Sequence, residues 1–365
     1  MKKIFVLTAL VSIFMTSALA QSSWHNPVVE KAILHGQIMP EAQRTNFYQR
    51  LPDASKSTVT DRVWGLSQNS AGESLCFYTN SKKINVRYAI AEGASMPHMP
   101  ATGKSGVDLY ATDASGQSIW LAARYWVSDT SGFDYAPIYY RDSIPGKGYL
   151  YELYLPPYNT VTWINIGVDE GCHFEFVNPT NQKPIIAYGT SITQGACASR
   201  PGMIWPTIVE RELKIPLINL GFSGNGLLEK GVLDLIKQTP AQVVILDCMP
   251  NLSARSVDEI KTLVINATHE IRSAQPNVPI LIVDHLGYPH SGAIDGYAQQ
   301  VEGAIKAQTQ AIESLKKEGV KGIHYLRFDE IAMPQDGTVE GVHPSDYGMR
   351  VYADAYIKKL SKIIN

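Results

Sequence analysis

Four short segments carry side chains whose types suit nucleophilic catalysis. The first is Tyr188-Gly189-Thr190-Ser191-Ile192-Thr193-Gln194-Gly195. A serine on a glycine-flanked turn from a strand into a helix can present its hydroxyl to a substrate, and backbone N–H groups at the helix start favour negative charge nearby. Taken alone, such a serine is more often an N-cap. The second segment, Gly221-Phe222-Ser223-Gly224-Asn225-Gly226, has glycines that let backbone approach a ligand closely, or simply connect two elements. The third, Asp247-Cys248-Met249-Pro250-Asn251, offers a side-chain amide that can donate to an oxyanion or close an Asx turn. The fourth, Val339-Glu340-Gly341-Val342-His343-Pro344, places a carboxylate three residues before a histidine. That carboxylate can hold the imidazole tautomer while the ring takes a proton from a serine.

In a parallel α/β sheet, functional side chains sit on loops at the carboxyl ends of strands. The pattern around these segments predicts such a sheet. Short apolar runs at Pro184–Tyr188, Leu217–Leu220, Val243–Leu246, Ile280–Val283 and Ile323–Leu326 read as buried strands. Helical patterns separate them. Ser256 and Glu259 make a capping box before Ile260, Leu263, Val264 and Ile271. Val301, Ile305, Ile312 and Leu315 repeat the helical spacing, which Lys316, Lys317 and Gly319 close. Residues 183–365 therefore read as a three-layer α/β domain. Upstream, residues 22–177 read as strands. Ile84, Val86, Tyr88 and Ile90 alternate with other types, as do Ile164, Ile166 and Val168, with turn clusters between the runs. An all-β sandwich of jelly-roll type is expected there, joined by the linker chemistry of Asn178 to Pro184.

The chain has 365 residues, more than one ordinary core holds, and its net charge of −2 argues neither for nucleic acid nor for an anionic membrane surface as a partner. Residues 1–20 read as an export signal: Lys2 and Lys3, an apolar run from Ile4 to Met15, then Ala18-Leu19-Ala20. A mature chain starting at Gln21 in the periplasm or outside the cell is expected, with no stable membrane insertion. Export permits disulfides. Cys197 and Cys248 follow strands expected to be neighbours and are expected to lie close enough to bond, with Cys76 and Cys172 as a second candidate pair. No cysteine spacing matches a zinc pattern.

Together the four segments resemble the blocks of the SGNH (GDSL-like) hydrolase superfamily. Gly189-Thr190-Ser191 matches the nucleophile block, and Asn219-Leu220-Gly221-Phe222-Ser223-Gly224 the block whose glycine gives an oxyanion-hole N–H. Asp247 to Asn251 matches the asparagine block, and Glu340-Gly341-Val342-His343-Pro344 the block usually written Asp-x-x-His. Gly106-Val107-Asp108-Leu109-Tyr110 resembles the Gly-x-Asp-Leu-Tyr signature of a β-sandwich found before some bacterial members. The resemblance implies a flavodoxin-like α/β/α domain and a serine esterase needing no metal or cofactor. Ser191 would be nucleophile and His343 base, with Glu340, Asp336 or a backbone carbonyl orienting the ring. The N–H groups of Ser191 and Gly224 and the amide of Asn251 would form the oxyanion hole, with Asn225 a competitor for the last place. Two-domain relatives imply an acylated carbohydrate, acetylated above all, as substrate. A lipid or thioester hydrolase and an inactive carbohydrate-binding protein are the alternatives, the former without any long apolar lid insertion to support it.

Overall fold

The computed structural model describes residues 22–364 apart from 124–125, 136–137, 139–141 and 295. The export-signal segment lies outside the described residues.

Residues 22–177 form two antiparallel sheets facing one another. The strands are β1 (Ser22–His25), β2 (Ser74–Thr79), β3 (Ile84–Ile90), β4 (Asp108–Thr112), β5 (Ser118–Ala123), β6 (Thr130–Tyr135), β7 (Tyr149–Tyr154), β8 (Val161–Asp169) and β9 (Phe174–Val177). One sheet has the order β1-β8-β3-β6 and the other β5-β4-β7-β2-β9. The alternation read in β3 and β8 points Ile84, Val86, Tyr88, Ile164 and Ile166 inward, where they meet Leu75, Phe77, Leu109, Tyr151 and Leu153 of the other sheet.

Residues 185–364 hold the parallel sheet. Its strands are β10 (Ile185–Gly189), β11 (Leu217–Gly221), β12 (Val243–Asp247), β13 (Ile280–Val283) and β14 (Ile323–Leu326). Their order, β11-β10-β12-β13-β14, is the doubly wound arrangement expected. Because successive residues of a strand point to opposite faces, the sheet has two cores. Ile186, Tyr188, Leu220, Val244 and Leu246 meet helices Lys230–Gln238, Val257–Ala274 and Tyr297–Lys317. Ile185, Ala187, Leu217, Val243 and Ile245 meet Trp205, Ile208, Tyr352 and Tyr356 from helices Trp205–Leu213 and Asp346–Ile364. The capping box at Ser256 forms as read. No helix among the described residues is long and apolar enough to cross a membrane.

The segment between β1 and β2 departs from the all-strand reading. It carries a short helix, Asp61–Ser67, capped by Thr60, and it divides between two cores, with Leu34 and Tyr48 joining the sandwich interior. Ile38, Leu51 and Val63 instead pack among Ile186, Tyr188, Leu220 and Phe222 of the parallel sheet. The two halves of the chain therefore share a core, and the loops at the carboxyl ends of β10 and β11 are built on contacts from both.

Candidate active site

The turn after β10 is tight because Gly189 allows it: a Cβ there would lie 2.1 Å from Thr193 Oγ1 and 2.8 Å from the Asp247 carbonyl oxygen. Thr190, not Ser191, caps the helix Ser191–Gln194, its hydroxyl accepting from Ile192 N. An N-cap role for Ser191 is thereby excluded. Its Oγ is 2.8 Å from His343 Nε2, although the residue is only 7% exposed. His343 Nδ1 faces Glu340 Oε1 in a short hydrogen bond. The loop that presents the histidine is closed on itself, with Val339 N donating to the His343 carbonyl at 2.9 Å. Glu340 Oε2 also accepts from the N–H groups of Val342, at 2.8 Å, and His343, at 3.2 Å. Partial burial works against the charge of Glu340, but the His343 ring and these backbone donors hold its carboxyl below the usual carboxylate range. The carboxylate on Nδ1 is thus Glu340 rather than Asp336. With Nδ1–H donated to Glu340, the Nε2 lone pair faces the serine hydroxyl, a tautomer assigned from these partners.

Beside the serine lies the loop after β11. Gly224 has φ of 68°, a left-handed backbone that glycine adopts without strain, and it is exposed to solvent. The loop is pinned at several points. Phe222 N donates to the Gly189 carbonyl and Ser223 N to Gln194 Oε1 at 2.9 Å, which ties the glycine loop to the turn and helix that carry Ser191. Asn219 reaches back from β11, its Nδ2 donating to the Thr193 carbonyl at 2.7 Å. Asn251, on the short helix after β12, donates from Nδ2 to the Asn225 carbonyl at 2.6 Å. One amide hydrogen of Asn251 is therefore spent on the loop that carries Gly224. Asn225 turns its own amide onto the Ser223 carbonyl. The structure thus brings Ser191, His343 and Glu340 into one hydrogen-bonded line and ties Asn251 to the loop that carries Gly224. Ser191 N–H, at the first position of its helix, has no intrahelical acceptor.

The β-sandwich half supplies parts that the four segments did not reveal. Tyr158 OH donates to the Ser191 carbonyl at 3.0 Å. Arg50, 1% exposed, donates to the carbonyls of Leu66, Asn69, Asn219 and Gly221 and lies 4.7 Å over the Phe222 ring. A fully buried guanidinium needs all of its donors satisfied. Here Nη1 holds the backbone leading into the glycine loop, at Asn219 and Gly221, while Nε and Nη2 hold Asn69 and Leu66. The Gly106–Tyr110 signature has a matching role. Asp108, wholly buried, accepts from Gly202 N at 3.0 Å and from Trp120 Nε1 at 2.6 Å, and pairs with Arg200. It clamps the turn that follows the nucleophile helix. A buried aspartate in one motif and an unexplained arginine in another are the only signal that could have linked them. Beneath the nucleophile helix, Asp247 accepts from Thr193 Oγ1 at 3.0 Å and from Tyr352 OH at 2.8 Å.

The expected disulfides are corrected: all four cysteines are free thiols. Cys248 is sealed among Ile186, Tyr188 and Leu246 on one face of the parallel sheet, its Sγ 3.7 Å from the Tyr188 carbonyl. Cys197 belongs to a separate cluster with Met99, Tyr158 and Ala196, where its thiol donates to the His98 carbonyl. Neighbouring strand ends do not suffice for a bond when the side chains enter different cores. Cys76 lies within β2, opposite Glu152 and Val177, and Cys172 in the turn after β8.

Comparison with known proteins places this geometry. The GDSL-like lipase/acylhydrolase family matches residues 182–361, and the N-terminus of SGNH-hydrolase-type esterases, the GxDLY family, matches residues 22–174. Among curated proteins no match is found. Solved structures do match. A protein described as a GDSL-like lipase from Bacteroides ovatus is 28% identical with a TM-score of 0.83, over 94% of this chain and 98% of that one. A salicylyl-acyltransferase of a tetracycline biosynthetic pathway is 19% identical with a TM-score of 0.72, over 95% and 98%. A family 2 carbohydrate esterase from Cellvibrio japonicus is 13% identical with a TM-score of 0.54, over 94% and 99%. The last two likenesses concern the fold alone. With both halves of the chain matched, the chain belongs to the SGNH (GDSL-like) hydrolase family, in the group that carries an N-terminal GxDLY sandwich.

Proposed function

We propose that the protein is an exported serine esterase that removes acyl groups, acetyl above all, from carbohydrates. The observation that carries the proposal is the line Ser191 Oγ, His343 Nε2, His343 Nδ1, Glu340 Oε1. In the reaction Ser191 Oγ attacks the ester carbonyl while its proton passes to Nε2. The carbonyl oxygen gains negative charge and is held by the N–H groups of Ser191 and Gly224 and by the free amide hydrogen of Asn251. Collapse of the tetrahedral intermediate breaks the bond to the sugar oxygen, which leaves with the proton from Nε2. Water then attacks the acyl-enzyme, giving its proton to His343, and the second collapse returns that proton to Ser191. Glu340 keeps Nδ1–H in place and stabilises the ring while it is charged.

The substrate class rests on the ground beside the glycine loop, where Tyr158, hydrogen-bonded to the Ser191 carbonyl, meets Ser223. A cavity of about 350 Å³ touches Ser223 and is lined by Asp61, Arg62, Asn69, Glu92, Lys104 and Tyr158 among others. Charged and amide side chains of that kind suit a sugar, whose hydroxyls both donate and accept, better than a long acyl chain. Solved proteins of this fold include family 2 carbohydrate esterases. Export is supported by the basic, apolar and Ala-x-Ala order of residues 1–20. The test is a series of chromogenic esters from acetate to octanoate, together with acetate release from acetylated polysaccharides. The proposal expects kcat/KM to fall as the chain lengthens and acetate to be released. A preference for octanoate would make the protein a lipase, and no turnover of any ester would make it a binding protein.

A further inference from the structure

The histidine beside Ser191 has a second set of neighbours that the esterase chemistry does not use. His98, in the loop after β3, Cys197, in the turn after the nucleophile helix, and His343 place their ligand atoms within 4.8 Å of one another. The rings of His98 and His343 are 5.8 Å apart, and Cys197 Sγ is 3.3 Å from the His98 carbonyl. Cys197 is held at φ of 68°. A residue with a Cβ adopts that conformation rarely and at a cost, and such strain concentrates at functional positions. The three side chains come from both halves of the chain, so the fold must be complete before they meet. No spacing in the sequence shows them.

Imidazole nitrogen and thiolate sulfur are both donors that zinc accepts, and three protein ligands leave a fourth position for water. The surroundings agree. A ligating histidine usually gives its other ring N–H to a carboxylate, which fixes the tautomer and raises its basicity. His343 already has that partner in Glu340. We propose that His98, Cys197 and His343 form a zinc site whose occupation switches the esterase off. The Nε2 lone pair that accepts the Ser191 proton is the one the metal takes, so zinc and catalysis compete for a single electron pair. On binding, the Cys197 thiol proton is released to solvent, both imidazoles coordinate as neutral rings, and Ser191 is left without a base. Removing the metal returns the lone pair and the activity.

The inhibition rests on the esterase reading, whereas the binding does not, and the experiment separates them. Esterase rate is measured against buffered free Zn²⁺ for the wild type, His98→Ala and Cys197→Ser, each compared with its own metal-free rate. The wild type loses activity and recovers it on adding EDTA, and each variant needs at least ~10-fold more zinc for the same loss. In parallel, Co²⁺ is titrated as a spectroscopic probe. The wild type and Ser191→Ala both develop a thiolate-to-cobalt charge-transfer band, and Cys197→Ser does not. That band appears even if the chain hydrolyses no ester. Absence of the band in the wild type, or equal zinc sensitivity of all three proteins, overturns the site.

Discussion

Replacing Asp247 by asparagine gives a quantitative handle on the buried support of the nucleophile helix. The residue is 1% exposed, and its carboxyl accepts from Thr193, two residues after Ser191, and from Tyr352 on the C-terminal helix. Burial raises its pKa from 3.8 to about 7, with the hydrogen bonds from Tyr352 and Thr193 pulling the other way. The folded protein therefore holds a proton that the unfolded chain has released. The associated stability is fully present below about pH 4 and is lost as pH rises to about 7. A rise of about three pH units at about 1.4 kcal/mol each makes the whole loss about 4 kcal/mol, of which roughly 2.5 kcal/mol falls between pH 5 and pH 8. Asparagine keeps the size and can still accept from Tyr352, but it does not titrate. Urea unfolding of both proteins at pH 5 and pH 8 isolates the effect, because all other titrating groups cancel in the difference. The stability advantage of Asp247→Asn grows by roughly 2–3 kcal/mol from pH 5 to pH 8. A difference that stays constant refutes the reasoning, since Asp247 would then titrate alike folded and unfolded.

Three further substitutions probe other parts of the site. Glu340→Gln keeps the side chain's size but removes its charge; kcat falls by at least ~10-fold with little change in KM, because the imidazole is charged mainly in the transition state. An unchanged rate would reduce the site to a Ser191–His343 dyad. Asn251→Ala lowers kcat by roughly two to three orders of magnitude, the usual cost of one oxyanion donor, whereas Asn225→Ala costs much less; the reverse order would reassign that donor. Arg50→Lys cannot reach four carbonyls from one ammonium, so Tm drops by ~5 °C or more and kcat falls with it; an unaltered melting curve would show the buried fork to be dispensable.

The parallel sheet was legible because four of its five strands are buried on both faces and read as short, mostly apolar runs between helical patterns, the edge strand Ile323–Leu326 being only partly buried. The hydrogen-bonded line of Ser191, His343 and Glu340 was legible in its parts. Ser191 sits directly after the first of those runs, and Glu340 and His343, on the loop before the last helix, are close in sequence. The segment between β1 and β2 was not legible. Ile38, Leu51 and Val63 are too widely spaced to set a period, and the core they enter belongs to strands more than a hundred residues away. Arg50 and Tyr158 escaped for the same reason, since what they bind is backbone carbonyl, which carries no mark in the sequence. The cysteines misled because strand adjacency gives the distance between loop ends but not the core into which each side chain turns. Cys248 faces inward below Tyr188, and Cys197 faces the His98 loop.

The central claim is that acyl groups pass through Ser191. Rapid quench of the protein with a chromogenic acetate ester, followed by intact-mass measurement and peptide mapping, tests it most directly. The account predicts a burst of product, a mass gain of one acetyl group located on Ser191, and neither burst nor adduct in a folded Ser191→Ala protein. An acetyl group on another residue, or full turnover by folded Ser191→Ala, would contradict it.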